Sequence, residues 1–308
     1  MTKVFIDGSA GTTGLRIHDR LSSREGLELI KLPEEKRKDA AARREALNAA
    51  DIVFLCLPDA AAVEAVAMID NPNTAVIDTS TAHRTASGWT YGFPELWRRE
   101  EIAASKRIAN PGCHASGFVA LVAPLVKAGV LSPDAALSCF SLTGYSGGGK
   151  KMIAEYEAAD RDALYGAPRQ YALSQSHKHL PEMTAITGMT TLPAFCPVVG
   201  DFYSGMEVTV PVFARDLKAG VAEIREIYHT LYRTKMVHYE DSCDEGGFLS
   251  ASRFSMRDDM EIRVEGNDER VLLIARFDNL GKGASGAAIQ NMNILLGLDE
   301  TTGLQVGG

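Results

Sequence analysis

The fold of this chain is decided near its start, by residues 3–14, Lys-Val-Phe-Ile-Asp-Gly-Ser-Ala-Gly-Thr-Thr-Gly. Residues 3–7 form a short apolar strand pattern, and the rest is a glycine turn with the spacing G-x-x-G-x-x-G. A helix pattern, residues 15–21, follows directly. In this setting glycines let a pyrophosphate approach the amide N–H groups at the helix start; the alternative is a tight turn that binds no ligand.

The alternation of strand and helix continues along the first domain. Strand patterns at 27–32, 51–57 and 74–78 alternate with helix patterns at 34–49 and 60–69. This rhythm predicts an α/β fold with a Rossmann-like, doubly wound parallel sheet. We expect residues 1–112 to form a dinucleotide-binding domain, completed by a C-terminal helix at about 283–308.

A different pattern follows the first domain. Between residues 131 and 282 the chain has longer β-like runs, at 207–213, 261–264 and 270–277, and fewer strand–helix alternations. These runs predict an α+β domain with a mixed or antiparallel sheet. We expect residues 113–282 to be the catalytic, substrate-binding and oligomerisation domain.

Charge and hydropathy limit the partners. The 308 residues carry a net charge of −8, which argues against a general role in binding nucleic acid or an anionic membrane. Local cations must then hold any anionic substrate.

Residues 1–3 run straight into the first strand, which leaves no room for a signal peptide. No apolar run approaches the roughly 18 residues of a membrane span, so we expect a cytoplasmic protein.

One of the five cysteines stands apart. Cys113 follows a glycine and begins an apolar helix pattern, which ends with Lys127 in its last turn and Gly129 as a stop signal. Unsatisfied N–H groups and the helix dipole favour the thiolate at such a position, and the thiolate is the nucleophilic form. Three other cysteines have apolar neighbours that favour buried roles, and one lies in a polar, acidic stretch that favours a surface thiol: Cys56, Cys139, Cys196 and Cys243, respectively.

A second candidate cluster is Ser-His-Lys-His-Leu-Pro-Glu, residues 176–182. The two histidines fit a strand with both rings on one face, a metal site, or an acid/base partner for Cys113. With no cysteine or aspartate at ligand spacing nearby, we expect no metal.

Two further patterns are weak. Residues 141–150 are mostly small and end in Lys150, which suits a cradle for phosphate or carboxylate, and Arg84 at the end of residues 79–84 suits an oxyanion clamp. Surface turns fit both equally well.

The choice of cofactor stays open on the residues alone. Glu34 or Glu35 suits the ribose of NAD, whereas the cations at 36–38 suit the 2′-phosphate of NADP.

Together these motifs resemble a known family. The chain is similar to the N-acetyl-gamma-glutamyl-phosphate reductases, in the shorter type-2 group of the aspartate-semialdehyde dehydrogenase superfamily. The resemblance covers nearly the whole chain, through the glycine turn and the segments at 91–96, 110–114, 141–150, 177–182 and 278–283.

The resemblance implies NADPH-dependent reduction of N-acetyl-glutamyl 5-phosphate to its semialdehyde in arginine biosynthesis, with release of phosphate, by a homo-oligomer (dimer or tetramer). It makes Cys113 the nucleophile that forms a thioester and His177 the acid/base residue. The implied substrate-binding residues are Arg84, Ser141, Lys150, His179 and Glu182. The implied cofactor-binding residues are Gly8, Ser9, Gly11, Thr12, Thr13, Gly14, Ser80, Gly147 and Asn279.

Two departures from the longer group of the family concern the site. His114 follows the cysteine where that group has another aromatic residue, as fits type 2, and Lys150 replaces an arginine, which removes bidentate phosphate binding. The alternatives are a related reductase of aspartyl or aminoadipyl phosphate, and a non-catalytic dinucleotide-binding sensor.

Overall fold

A computed structural model describes residues 1–241 and 245–307. The chain divides into two compact units, Met1–Gly112 with Ala284–Leu304, and Cys113–Gly283 with Gln305–Gly308. Cys243, expected to be a surface thiol, lies outside the described residues. No helix in the described part is long and apolar enough to cross a membrane.

The first unit contains a six-stranded sheet in which every strand pairing is parallel. Its strand order is β2-β1-β3-β4-β6-β5. The strands are β1 (Thr2–Asp7), β2 (Leu27–Ile30), β3 (Ile52–Leu55), β4 (Ala75–Asp78), β5 (Thr90–Tyr91) and β6 (Arg107–Ala109). The helices between them are α1 (Thr12–Leu21), α2 (Ala40–Ala49), α3 (Asp59–Ala67) and α4 (Arg99–Ala104). The predicted Rossmann-like sheet is confirmed.

The apolar runs of the sequence become the middle of this sheet. All four residues of β3 and all four of β4 are buried, as parallel strands covered on both faces require. Leu47 of α2 packs into the same core as Val53 and Val76.

The helix predicted at 34–49 begins later than expected. A single 3₁₀ turn, Glu34–Lys36, comes first, and α2 starts at Ala40. The carboxylate of Asp39 accepts a hydrogen bond from the Ala42 N–H at 2.8 Å and so caps the helix. The cations at 36–38 therefore lie in the connection before α2.

The second unit contains a seven-stranded mixed sheet with the order β11-β12-β13-β10-β7-β9-β8. Its strands are β7 (Ser138–Gly144), β8 (Arg169–Gln170), β9 (Ala194–Gly200), β10 (Met206–Phe213), β11 (Val237–Tyr239), β12 (Met260–Gly266) and β13 (Arg270–Phe277). Its helices are α5 (Cys113–Lys127), α6 (Gly149–Glu157), α7 (Leu180–Thr187) and α8 (Val221–Leu231). The predicted α+β domain with a mixed sheet is confirmed.

Helix α5 is buried along most of its length. Every residue from 114 to 125 is buried, and a Cβ on Gly117 would lie 2.5 Å from the Val208 side chain, so the helix sits directly on the sheet. Pro124 has no N–H for the Ala120 carbonyl, and the Tyr232 hydroxyl donates to that oxygen instead, at 2.6 Å. These contacts fix the helix that begins at Cys113.

The last helix, α9 (Gly286–Leu295), belongs to the first unit and follows a π-helical turn, Gly281–Ser285. Its polar side chains bond to the region before α4: Gln290 donates to Glu95 at 2.8 Å, and Asn291 donates to the Gly92 carbonyl at 3.0 Å.

Candidate active site

Cys113 is the first residue of α5 and is half-buried. A Cβ on Gly283 would lie 2.9 Å from the Cys113 Cβ, so glycine is needed for this close approach. The helix N-terminus favours the anionic form of a thiol at this position.

His114, the next residue, is buried and has a hydroxyl group near each ring nitrogen. Nδ1 lies 2.7 Å from the Ser141 Oγ, and Nε2 lies 2.6 Å from the Tyr171 hydroxyl oxygen. Burial, and then the charge of His177, lower the pKa of His114 to about 3. The imidazole of His114 is therefore neutral at physiological pH.

His177 and His179 meet His114 in one aromatic cluster. The ring of His114 lies 5.8 Å from that of His177 and 5.5 Å from that of His179, measured between centroids. The chain turns between the two predicted histidines and enters α7, so residues 177–179 do not form the strand that was one interpretation of the motif. The buried Glu182 lies in the first turn of that helix.

The protonation of the His177 ring follows from one backbone contact. The His179 N–H donates to Nδ1 of His177 at 3.2 Å. Because Nδ1 accepts this bond, the proton of the neutral ring is on Nε2.

Sequence reasoning missed Tyr171. Burial raises the pKa of its hydroxyl, and the charge of Cys113 raises it further, so this hydroxyl keeps its proton at physiological pH. Tyr171 directly follows the two-residue strand β8, and no motif surrounds it, so its position relative to His114 was not readable from spacing.

Two residues of the second unit that were predicted to bind substrate lie in surroundings that the sequence did not predict. Ser141 is fully buried on β7, and its hydroxyl contacts His114, so it is not open to a substrate in this structure. Lys150 is exposed in the first turn of α6, where the sequence pattern had indicated a loop.

The two predicted cofactor-binding residues of this unit, Asn279 and Gly147, lie together. The Asn279 amide accepts from the Gly205 N–H at 2.9 Å and donates to the Ser146 Oγ at 3.0 Å, so it braces two loops. A Cβ on Gly147 would lie 3.3 Å from the Asn279 amide nitrogen.

In the first unit, the three glycines of the turn differ in what surrounds them. Gly8 has a positive φ of 88°, and a Cβ there would lie 2.3 Å from the Cys56 carbonyl oxygen; a Cβ on Gly14 would lie 2.5 Å from the Gly8 carbonyl oxygen. A Cβ on Gly11 would meet nothing closer than 3.5 Å. The protein's own packing therefore requires Gly8 and Gly14 but leaves room at Gly11.

The start of α1 has unsatisfied polar groups. Gly11 is the N-cap and has no side chain to accept from the first N–H groups, and the buried Thr12 Oγ1 has no hydrogen-bond partner in the described residues. An oxyanion at this helix start would satisfy both. The neighbouring residues Ser9 and Thr13 belong to the same turn and first helical turn.

A cavity of about 690 Å³ borders the turn. Glu34, Glu35, Arg37 and Lys38 all line it, together with Gly8 and Ser9. Both acids, and two of the three cations, that left the cofactor choice open thus line the same cavity.

The remaining predicted residues of the first unit hold the loop after β4. Ser80 donates its hydroxyl to Asp78 at 2.7 Å. Arg84 is buried and donates to the carbonyl oxygens of Asn110 and Thr79, both at 3.0 Å. Within residues 1–241 and 245–307, no group of three or more His, Cys, Asp or Glu side chains is arranged to hold a metal ion.

A Rossmann-like sheet with a glycine turn, combined with a mixed-sheet unit that carries a cysteine at a helix start, indicates a dehydrogenase. Residues 3–105 match the family described as semialdehyde dehydrogenase, NAD binding domain, and residues 113–279 match its dimerisation domain. Solved structures agree on the fold. Aspartate semialdehyde dehydrogenase II of Vibrio cholerae, complexed with ASA, covers 96% of this chain and 98% of its own, with a TM-score of 0.73 and 17% identity.

Sequence relatives narrow the class. An N-acetyl-gamma-glutamyl-phosphate reductase of Chelativorans sp. is 46% identical over 96% of this chain and 98% of the relative. N-acetyl-gamma-glutamyl-phosphate reductase 2 of Nostoc sp. is 42% identical over 98% of this chain and 99% of the relative. The chain belongs to the N-acetyl-gamma-glutamyl-phosphate reductase family.

Proposed function

We propose that this protein reduces N-acetyl-L-glutamyl 5-phosphate to N-acetyl-L-glutamate 5-semialdehyde with NADPH, in arginine biosynthesis, through a thioester on Cys113. The observation that carries the proposal is the half-buried cysteine at the start of the buried helix α5, one residue from a cluster of three histidines. Membership of the reductase family supplies the substrate.

The chemistry accounts for a cysteine at this position. The Cys113 thiolate attacks the acyl carbon, the C–O bond to phosphate breaks, and phosphate leaves with the electron pair, so that a thioester remains. When bound, NADPH supplies the hydride that reduces this thioester. The thiohemiacetal then releases the aldehyde as its C–S bond breaks, and the thiolate of Cys113 is regenerated.

His177 stabilises the oxygen that the hydride transfer leaves negative. Its Nε2–H donates a hydrogen bond to this oxygen and keeps its proton, and the electron pair of the oxygen re-forms the C=O bond as the C–S bond breaks. The bond from the His179 N–H to Nδ1 holds the ring in the tautomer that this step requires. We propose that His179 and Glu182 orient this loop and the substrate, and that Lys150 attracts the phosphate.

The glycine turn and its surroundings suit the cofactor. A pyrophosphate fits at the start of α1. Gly11 leaves open space there, no side chain caps the helix, and the Thr12 hydroxyl has no hydrogen-bond partner in the described residues. Arg37 and Lys38, which line the neighbouring cavity, suit a 2′-phosphate and so favour NADPH. Aspartate semialdehyde dehydrogenase of Candida albicans, a solved structure with a similar fold, contains NADP. We propose that Ser9, Thr13, Ser80, Gly147 and Asn279 complete the cofactor site.

The reverse reaction tests the function. Purified protein is given N-acetyl-glutamate semialdehyde with NADP⁺, with and without phosphate, and NADPH formation is followed by absorbance. We expect oxidation that requires phosphate and is faster with NADP⁺ than with NAD⁺. Faster oxidation of aspartate or aminoadipate semialdehyde would make the protein a neighbouring reductase. No reaction with any aldehyde, with Cys113 alkylated no faster than a free thiol, would favour a sensor.

Alanine at two glycines of the turn should separate binding from folding. We expect Gly11→Ala to raise the KM for NADPH at least about 10-fold, because its methyl group occupies the space of the pyrophosphate, and to change stability by less than about 1 kcal/mol. Gly8→Ala should instead destabilise the fold by about 2–4 kcal/mol, since it needs positive φ and collides with the Cys56 carbonyl. Steady-state kinetics and thermal melts measure both. An unchanged KM in Gly11→Ala would argue against a pyrophosphate at this turn.

We propose that the protein is a homo-oligomer built on the outer face of the seven-stranded sheet. Phe140, Phe213 and Leu272 are 42%, 51% and 38% exposed there, and Pro211 pairs with Leu272 across the strands. A cavity of about 650 Å³ lies among these strands. An apolar surface of this kind favours a second copy of the chain.

Leu272→Glu tests this surface. The charge should weaken the dimer, because it would be buried without a partner, and sedimentation should find mainly monomer. Leu298→Glu, at an exposed leucine of the first unit, is the matched control and should leave the assembly unchanged. An unchanged dimer in Leu272→Glu would place the interface elsewhere.

A working thiol needs a reducing compartment, which supports the cytoplasm as the site of action.

A further inference from the structure

The turn that leads from β8 to the histidine cluster is held by a side chain that the proposed function does not use. The amide nitrogen of Gln175 donates to the Phe195 carbonyl at 2.7 Å, and its oxygen accepts from the Phe195 N–H at 2.8 Å. Phe195 lies on β9 and is fully buried. Two short bonds to one residue fix both the position and the orientation of the amide.

This pair of bonds takes the place of a strand pairing. β8 is antiparallel to β9, and the ladder continues as far as the Tyr171 N–H, which donates to the Pro197 carbonyl at 3.0 Å. In that register, the next hydrogen-bonded pair would join Leu173 to Phe195. The Gln175 amide makes both bonds instead, because it has the same donor and acceptor as a peptide group. Leu173 is 75% exposed and has left the sheet.

The turn that leaves the sheet is strained. Ala172 and Gln175 have positive φ angles of 53° and 55°, in a region that residues with a side chain rarely adopt. The Gln175 N–H donates to the Ala172 carbonyl at 3.0 Å and closes the turn. Strained backbone of this kind persists only where surrounding contacts hold it, and the two bonds to Phe195 are such contacts.

His177 follows Gln175 by two residues and packs on the same phenylalanine. The ring of Phe195 lies 5.1 Å from that of His177 and 5.3 Å from that of His114, measured between centroids. The His179 N–H, which donates to Nδ1 of His177 at 3.2 Å, orients the same ring. One residue, Phe195, therefore contacts Gln175 through its backbone and His177 through its ring.

We propose that Gln175 is a positioning residue for His177: its amide holds the strained turn on the backbone of Phe195 and so fixes the place and the tautomer of the His177 ring. The proposal rests on the proposed function for the role of His177. Because Gln175 is exposed, water can replace its amide at the Phe195 backbone, so a variant without the amide keeps the fold but releases the turn.

A double-mutant cycle tests the coupling. Turnover is measured in the wild type, Gln175→Met, His177→Asn and the double variant, and thermal melts confirm that each is folded. Methionine has about the length of glutamine but no amide. We expect Gln175→Met to lower kcat by about 10- to 100-fold, since a misplaced catalytic group costs up to about 10²-fold, and to leave the KM for NADPH unchanged. In the His177→Asn background the same substitution should cost less than about 2-fold, because Gln175 acts through His177.

Gln170→Met is the matched control, at an exposed glutamine of β8, and should retain full turnover. If Gln175→Met does not fold, Gln175→Glu takes its place in the cycle, since a carboxylate keeps the acceptor for the Phe195 N–H and loses only the donor. Equal losses in the two backgrounds would overturn the proposal, because a residue that supports only the fold lowers turnover whatever stands at position 177.

NMR of ¹⁵N-labelled histidine rings tests the positioning without turnover. The shifts of the ring nitrogens report the tautomer, and the signals of His177 are those missing from His177→Asn. We expect a single Nε2–H tautomer at His177 in the wild type and in Gln170→Met, and mixed tautomers in Gln175→Met. An unchanged His177 signal in Gln175→Met would also overturn the proposal. Failure of the semialdehyde assay with an altered His177 signal would reject the proposed substrate but keep Gln175 as the residue that positions His177.

Discussion

Cys113→Ser is expected to lower phosphate-dependent oxidation of N-acetyl-glutamate semialdehyde by at least about 10⁴-fold, since loss of a nucleophile costs an enzyme most of its rate enhancement. Serine has nearly the same volume, so the buried start of α5 should be undisturbed. Its hydroxyl is not ionised at neutral pH, and an ester is less electrophilic than a thioester. NADPH absorbance measures the loss.

The control for this substitution is Cys196→Ser. Cys196 is also partly exposed in the same unit, but it lies on β9, in register with Phe140 of the outer sheet face. We expect wild-type turnover from it. Turnover that survives substantially in Cys113→Ser would contradict the thioester, whatever the outcome at Cys196.

Local patterns of the sequence predicted much of the first unit. The alternation of apolar runs with helix patterns indicates a parallel sheet because buried parallel strands must be apolar throughout, and β3 and β4 are buried at every residue. The late start of α2 was missed, although Asp39 has the side chain of an N-cap, because the charged residues before it are equally compatible with a helix.

The candidate site was less predictable because its contacts join residues far apart in sequence. Cys113 stands out through the glycine before it and the helix after it, which are local features. The contacts of His114 with Ser141 and Tyr171 span 27 and 57 residues, and spacing carries no information about them. The same holds for Asn279, whose amide bonds to residues 74 and 133 positions away.

The glycine turn illustrates an intermediate case. Its spacing predicts a close approach of some kind but not which partner each glycine approaches. Packing distances assign Gly8 and Gly14 to the protein's own backbone and leave Gly11 open. The motif thus combines two structural glycines with one position that has room for a ligand.

His177→Asn is expected to lower turnover on the order of 10²–10⁴-fold, the usual contribution of a general acid or base. The asparagine oxygen takes the place of Nδ1 and can still accept from the His179 N–H, so the loop before α7 keeps its shape. What the substitution removes is the Nε2 proton. His229→Asn, at an exposed histidine of α8, is the matched control and should retain full activity.

Alkylation of Cys113 in the same variant distinguishes two roles for His177. If His177 donates a hydrogen bond to the reduced oxygen, as its Nε2–H tautomer indicates, then turnover falls while iodoacetamide still labels Cys113 at the wild-type rate. If it instead removes the thiol proton, alkylation and turnover fall together. A negligible loss of turnover would transfer the acid/base role to His179, whose ring lies 4.7 Å away between centroids. The 3.2 Å contact from the His179 N–H to Nδ1 favours the first outcome, because it leaves the proton of a neutral His177 ring on Nε2.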